Sequence, residues 1–247
     1  MPPIAWHVVT AKDALARLQD RLLQEHLGCY LLGSTSPDIR VITGRPRAET
    51  HFYDVNADNV ESGIPKLLET HPHLVQLQGR PKAFLSGYIT HLATDELWIE
   101  QVYRPYFGRD SVLNSTLEAN IMDRVLQFYM DCKERVERDQ FKAFYDYIFQ
   151  ADPGDELQFI DLPTLHRWRE VVGNILNQDP TWEGFRNFSV RRFLGRSEVN
   201  DEQVRALFES LPEVLERTLK HVSPERVAAF REDAIQRSAS AVRRYLS

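Results

Sequence analysis

Hydrophobic residues recur along almost the whole chain at the spacing of an amphipathic α-helix, and this periodicity limits the possible folds more than any other feature. The pattern is clear over residues 5–24, where Trp6, Val9 and Leu15 lie on one helical face. A strand-like run occurs only at residues 40–43. The sequence therefore predicts an all-α fold, a multi-helix bundle.

The predicted helices divide the chain at its proline, glycine and capping residues. They cover residues 5–24, 26–33, 58–70, 81–104, 111–137, 139–150, 161–177, 180–194, 201–220 and 223–246. Ser111 is the predicted N-cap of the helix over 111–137, and residues 39–57 are predicted to be an irregular loop. We expect a single domain over 1–247, with a core over 1–196 and a possible peripheral helical hairpin over 197–247.

Composition excludes several classes of protein. Hydrophobic residues make up 43% and charged residues 27% of the 247 residues, as in ordinary globular proteins. The net charge of −6 gives no reason to expect nucleic acid as a partner. No stretch reaches the roughly 18 apolar residues of a membrane span, and no signal peptide is visible, so the sequence predicts a cytoplasmic protein without a transmembrane segment. It leaves the oligomeric state open.

Three pairs of a histidine and an acid stand four residues apart, a spacing that places both side chains on one helical face. They are His91 with Asp95, His166 with Glu170, and His221 with Glu225. Pro224 interrupts the last pair and argues against a continuous helix there. A buried imidazole and carboxylate must both be satisfied, and a metal ion does this well.

Three further motifs precede His91 in a fixed order. They are Trp6-His7, then Gly33-Ser-Thr-Ser-Pro-Asp38, then Thr50-His51-Phe52, and the chain continues into Gly87-Tyr-Ile-Thr-His91-Leu-Ala-Thr-Asp95. This order resembles the zinc-dependent phospholipase C family, over about residues 1–105. The resemblance implies a phospholipase C-like all-α fold around a metal site.

The resemblance also implies a ligand set. Asp38, His51, His91 and Asp95 would form one metal centre, and Asp95 would bridge to a second metal held by His7. Nitrogen and oxygen ligands of this kind suit zinc, as one or two ions, and also iron or manganese. His166 and Glu170 are weaker candidates for a further zinc, because the family's third ligand for that metal has no counterpart here unless Glu118 or Asp123 replaces it.

The predicted activity is that of a metal-dependent hydrolase acting on a small-molecule or lipid phosphoester through a metal-bound hydroxide. Asp38 is the candidate catalytic base. Three arginines near the proposed site, Arg40, Arg45 and Arg47, could bind phosphate or serve only solubility.

Two alternatives remain at this stage. The chain could be a non-enzymatic helical protein with a structural metal site, in which protein ligands fill every position. It could also be an iron-dependent enzyme that uses the same ligands.

Overall fold

The computed structural model of the chain describes residues 2–53, 62–135, 138–194 and 200–247. Within these residues the fold is all-α, as the hydrophobic periodicity predicts, and contains no β-strand. The helices are α1 Ile4–Leu18, α2 Arg21–Glu25, α3 Leu27–Gly33, α4 Arg40–Thr43, α5 Arg47–His51, α6 Gly63–Thr70, α7 Gly79–Trp98, α8 Leu117–Glu134, α9 Arg138–Phe149, α10 Leu162–Asn177, α11 Trp182–Phe193, α12 Asp201–Glu209, α13 Leu211–His221 and α14 Pro224–Leu246.

Helix α7 is the central element of the bundle. Every residue from Ala83 to Trp98 is buried, so this helix has no polar outer face. It packs against α1, α3 and α14, which surround it. A helix that is buried on all sides can hold polar side chains only if neighbouring elements satisfy them.

Two glycines allow α3 and α7 to approach closely. A Cβ atom on Gly87 would lie 1.9 Å from the carbonyl oxygen of Tyr30, and one on Gly33 would lie 2.0 Å from that of Phe84. The backbones therefore touch at positions where no other residue fits. This contact brings the end of α3 beside residues 84–88, near the middle of α7 and one turn before His91.

The C-terminal residues differ from the peripheral hairpin predicted over 197–247. Three helices occur in 201–247, because Pro212 lies in the first turn of α13 and separates it from α12. The last helix, α14, packs against α1 and α7 and buries Phe230, Ala234 and Val242. It therefore belongs to the core of the bundle.

Some predicted helix boundaries are wrong. The helix over 5–24 breaks at Gln19, which adopts a left-handed conformation with φ 52°, and Asp20 then caps α2 by accepting a hydrogen bond from Leu23 N–H. Thr116, and not Ser111, caps α8, accepting from Ala119 N–H at 3.1 Å. Ser111 instead donates to the carbonyl of Gly108.

The predicted helix over 81–104 begins two residues earlier and changes to a π-helix over Ile99–Phe107. Pro105 lies inside that segment, where it lacks an N–H and would clash with the preceding turn of a regular α-helix. Wider π-type turns accommodate the ring, and Gly108 N–H closes the segment on the carbonyl of Tyr103 at 2.7 Å.

The predicted loop over 39–57 contains α4 and α5, two short helices on either side of Gly44. Its last part and the start of the predicted helix over 58–70 lie outside the described residues; the described helix there begins at Gly63. None of the described helices combines the length and apolar character that crossing a membrane would require.

Candidate metal centre

Helix α7 presents His91 and Asp95 one turn apart, and both side chains are fully buried. His91 Nδ1 lies 2.8 Å from the carbonyl oxygen of Ser34, an acceptor, so this nitrogen carries the proton. The lone pair is then on Nε2, which lies 3.4 Å from Asp95 Oδ2. The close packing of α3 on α7 fixes this orientation, because Ser34 directly follows α3.

Two more imidazoles reach the same carboxylate from other elements. His7, on α1, places Nε2 3.4 Å from Asp95 Oδ1, and its ring stacks on that of His91 with centroids 3.8 Å apart. His51, the last residue of α5, places Nε2 3.2 Å from Asp95 Oδ2. Oδ1 of Asp95 thus faces His7, and Oδ2 faces both His51 and His91.

The residues around His51 hold its ring in place. His51 Nδ1 lies 2.9 Å from Thr50 Oγ1, whose own hydrogen is directed to the carbonyl of Arg47 at 3.4 Å. Thr50 Oγ1 can thus accept a hydrogen bond from His51 Nδ1–H. The lone pair of His51 is then on Nε2, which faces Asp95. The buried hydroxyl of Tyr88 donates to the carbonyl of Thr50 and ties this segment to α7.

Asp38 lies at the edge of this cluster, in the short 3₁₀ helix Ser36–Ile39. Its Oδ1 is 3.8 Å from His51 Nε2. The side chain is 17% exposed, whereas those of His51 and Asp95 are 0% exposed. Asp38 is therefore the residue of this cluster whose side chain is accessible from outside the protein core.

The arrangement fits a metal ion. Around a tetrahedral zinc with bonds of ~2.0–2.1 Å, neighbouring ligand atoms lie about 3.3 Å apart, and the histidine–Asp95 separations are 3.2–3.4 Å. Several of these buried atoms have no hydrogen-bond partner among the described residues: both ring nitrogens of His7, Nε2 of His51 and of His91, and Oδ1 of Asp95. Unpartnered buried polar atoms are costly, and a shared cation would satisfy them together. Within the described part of the chain, two groups could hold an ion: His7, Asp38 and His91, and His51, His91 and Asp95.

Electrostatics keeps most of these groups in the protonation state that binds metals. Burial, with help from Arg47, lowers the pKa of His51 to about 4, and burial with the charge of His91 lowers that of His7. Burial alone would raise the pKa of Asp95, but His91 and His51 hold it well below its usual range. His91 differs, because Asp95 outweighs burial and raises its pKa. Proton binding therefore competes with metal binding more strongly at His91 than at His7 or His51.

The second histidine–acid pair does not join this cluster. His166 and Glu170 are both exposed on α10, and neither belongs to a described group that could hold a metal. The proposed substitutes for the missing third ligand are engaged elsewhere. Glu118 pairs with Arg217 at 2.9 Å, and the two oxygens of Asp123 accept from Trp98 Nε1 at 3.1 Å and from Gln127 Nε2 at 2.7 Å.

Sequence reasoning missed several groups that support the site. No sequence motif points to Tyr53. Its hydroxyl accepts a hydrogen bond from Arg47 Nη2 at 2.6 Å, and the same nitrogen donates to Asp95 Oδ2 at 2.9 Å. Gly87 and Tyr88 are part of the Gly-Tyr motif that precedes His91, and the structure shows their separate uses. Gly87 permits the approach of α3, and Tyr88 holds the segment that carries His51.

A cavity of about 1240 Å³ opens beside the cluster and has Asp38 in its lining. Arginines and acids contribute polar groups to its surface. Aromatic side chains from α7, the π-helix, α8, α10 and α11 form much of the rest: Trp98, Tyr103, Phe128, Trp168, Phe185, Phe188 and Phe193. A cavity of this size and mixed character can admit a small organic molecule or part of a larger one.

Residues 6–98 match the family model described as zinc dependent phospholipase C. The matched stretch includes His7, Asp38, His51, His91 and Asp95 and ends at the last residue of α7. No curated protein and no solved structure matches the chain. Residues 6–98 are thus similar to the zinc-dependent phospholipase C family, the family that the order of the motifs predicts. This similarity implies zinc as the metal for which the chain supplies histidine and aspartate groups.

Proposed function

We propose that the protein is a metal-dependent phosphoesterase whose zinc is held by His7, Asp38, His51, His91 and Asp95. The observation that carries this proposal is the convergence of their unpartnered nitrogen and oxygen atoms next to a cavity. The match to the zinc-dependent phospholipase C model covers all five residues.

Asp95 is the shared ligand in this proposal. Its Oδ1 faces His7, and its Oδ2 faces His51 and His91. A carboxylate placed in this way can hold one ion or bridge two, as in two-metal phosphoesterases. The backbone carbonyl of Ser34 and the hydroxyl of Thr50 act as outer partners that orient the imidazoles.

Zinc, when bound, is a Lewis acid that lowers the pKa of water and neutralises charge on phosphoryl oxygens. The general base in this proposal is Asp38. Of the five residues, Asp38 is the one that is partly exposed and lines the cavity. Burial alone would raise the pKa of Asp38, but His91 and His51 bring it below its usual value. The carboxylate is therefore ionised near neutral pH and can accept a proton from the attacking water.

The substrate must present a phosphoester to Asp38 and place its remaining part in the aromatic-lined cavity. The family acts on phosphoester lipids. For this chain we propose a phosphoester with a partly apolar alcohol group, of which a lipid and a small soluble ester are both examples.

A structural metal site is the second candidate function, and the full burial of four of the five residues favours it. A structural site has all coordination positions filled by protein. The partial exposure of Asp38 toward the cavity favours the enzyme instead.

The test combines elemental analysis with hydrolysis. Protein purified without a chelator or a metal-affinity resin is analysed for zinc, iron and manganese per chain. Hydrolysis of bis(p-nitrophenyl) phosphate and of phosphatidylcholine vesicles is then measured before chelation, after chelation, and after zinc is restored. We expect zinc and activity to be lost and regained together. Bound zinc without hydrolysis of any phosphoester in a wider screen would support the structural site, and protein without metal would contradict both.

A further inference from the structure

Two arginines, Arg40 and Arg47, line the cavity beside Asp38. In each of them the Nε atom is buried and has no hydrogen-bond partner among the described residues. A buried N–H of a guanidinium that lacks an acceptor costs free energy, and the cost is removed when an acceptor oxygen arrives. Each of these side chains therefore has an Nε–H donor for which the described residues provide no acceptor.

The Arg47 guanidinium is held in a fixed position. Its Nη2 donates to Asp95 Oδ2 at 2.9 Å and to the hydroxyl of Tyr53 at 2.6 Å, and its side chain is only 15% exposed. Its Cζ lies 5.0 Å from the centre of the Tyr53 ring, within reach of a cation–π contact. Because one nitrogen makes both hydrogen bonds, Nε remains unused. Such a pre-positioned group loses little conformational entropy when it binds a ligand.

A third arginine in the same segment has another use. Arg45 Nη1 donates to the carbonyl of Phe159 at 3.2 Å, and Arg45 is not part of the cavity lining. Gly44, with φ 70°, turns the chain between α4 and α5. Of the three arginines, the fold thus directs two to the cavity and one away from it.

Other charged side chains of the cavity already bind one another or the backbone, although Arg135 Nε and Asp131 Oδ1 are also buried without a hydrogen-bond partner among the described residues. Asp131 pairs with Arg135 at 3.0 Å, and Arg124 donates to Gln127 Oε1 at 3.2 Å. Asp95, the described carboxylate that pairs with Arg47, is shared with three histidines and is a proposed zinc ligand. A zinc ion bound to Asp95 would neutralise much of the charge of that carboxylate. The positive charge of Arg47 would then be compensated less, and this favours the binding of an anion beside Arg47 in the cavity.

We propose that Arg40 and Arg47 form an anion-binding edge that receives the non-bridging phosphoryl oxygens of the substrate. This inference rests on the proposed function and extends it by naming the residues that recognise the phosphoryl group. Guanidinium groups match phosphoryl oxygens in geometry and form charge-assisted hydrogen bonds with them. Asp38, from the same part of the chain, lines the same cavity as these arginines.

The test measures binding of inorganic phosphate to the zinc-loaded full-length protein by isothermal titration calorimetry. The variants are Arg40→Gln and Arg47→Gln, with Arg45→Gln as the matched control from the same segment. We expect at least about tenfold weaker phosphate binding for the first two, in line with the loss of a charge-assisted hydrogen bond. Arg45→Gln should stay within about twofold of the wild type, since Arg45 does not face the cavity.

Zinc content is determined for every sample, because Arg47 contacts a proposed ligand. If Arg47→Gln loses zinc, phosphate binding is compared instead for Arg47→Lys and Arg40→Gln. Arg40 is suited to this comparison because it does not pair with Asp95. Wild-type affinity in Arg40→Gln and in a zinc-replete Arg47 variant would overturn the inference. An equal loss in Arg45→Gln, or no phosphate binding by the wild type, would also overturn it. Arginine-dependent phosphate binding in a protein that hydrolyses no phosphoester would instead reject the proposed function alone.

Discussion

Two helices of this protein carry a histidine and an acid at the same spacing, with different outcomes. His91 and Asp95 on α7 are 0% exposed and lie among two further histidines. His166 and Glu170 on α10 are exposed, outside both described groups that could hold a metal. A histidine and an acid at i and i+4 are thus not enough to predict a metal site, because the remaining ligands must come from other parts of the fold.

The difference lies in which helical face meets the core. Every face of α7 is covered by other helices, so its polar pair is necessarily inside. Helix α10 buries Leu165, Trp168 and Val172, and the intervening His166 and Glu170 therefore face outward. Trp168 does reach the segment before Asp38, since its Nε1 donates to Thr35 Oγ1 at 3.1 Å.

The largest expected difference between the two helices is in metal content. His91→Ala or Asp95→Ala removes a proposed ligand, and we expect either variant to lose at least about 100-fold in zinc affinity, together with its phosphoesterase activity. His166→Ala and Glu170→Ala should keep wild-type zinc content. Elemental analysis and competition with a zinc-binding dye measure this. Full zinc content in the α7 variants, or loss in the α10 variants, would reverse the assignment.

The next difference is in packing at a glycine. A Cβ on Gly87 of α7 would meet backbone, the Tyr30 carbonyl oxygen at 1.9 Å, and we expect Gly87→Ala to reduce the free energy of unfolding by at least about 3 kcal/mol. Gly173→Ala on α10 is the matched control. Its Cβ would meet the ring of Tyr145 at 2.7 Å, a side chain that is only partly buried and can move.

We expect Gly173→Ala to stay within about 1 kcal/mol of the wild type, because alanine's helix propensity offsets part of the crowding. Urea unfolding of both variants without zinc measures the two values. Equal stabilities for Gly87→Ala and Gly173→Ala would show that the α3–α7 contact is not tighter than the surroundings of α10.

A smaller effect is expected in the pH dependence of the metal-free protein. Burial lowers the pKa of His51 from 6.5 to about 4 in the folded state. Between these values the unfolded chain binds a proton on this imidazole and the folded chain does not, so stability falls as the pH is lowered from about 6.5 to 4. Above pH 6.5 this contribution to stability is complete. The loss attributable to His51 should be on the order of 2–3 kcal/mol.

The comparison of the wild type with His51→Gln isolates this contribution, since His7, His91 and Asp95 titrate in both proteins. Unfolding by urea is measured at several pH values in the presence of a chelator. We expect the free energy of unfolding of the variant to fall less steeply below pH 6.5. Parallel pH profiles would show that the His51 pKa is not lowered by folding.

The smallest effect concerns the link between α10 and the Asp38 turn. Trp168→Phe keeps an aromatic ring in the core but removes the Nε1 donor to Thr35 Oγ1. We expect a loss of about 1 kcal/mol in the free energy of unfolding, as for one buried hydrogen bond and a modest change in packing. Zinc content should be unchanged. If the variant loses zinc, α10 contributes to the centre more directly than its exposed His166 indicates.

Much of the fold could be predicted because helical periodicity is a local property. The helices over 26–33, 139–150, 161–177, 180–194 and 223–246 are found within about two residues of the predicted bounds. The errors lie where a single backbone conformation decides the outcome, such as the left-handed Gln19 and the π-helix that accommodates Pro105. Hydrophobic spacing carries little information about such positions.

The candidate site shows the same division. The motifs around His7, Asp38, His51 and His91 pointed to residues that the structure brings together. Tyr53, and the choice of Arg47 over Arg45 as the cation beside Asp95, had no sequence signal, because both depend on where a short helix lies against α7.

The sequence alone determined that the chain is helical and that its histidine and aspartate motifs occur in the order that resembles the zinc-dependent phospholipase C family. Tertiary structure decided which of two equivalent pairs is buried, which arginines face the cavity, and that α14 belongs to the core. The physical reason is that residue type and spacing set local conformation, whereas burial and the convergence of ligands depend on contacts between segments far apart in the chain.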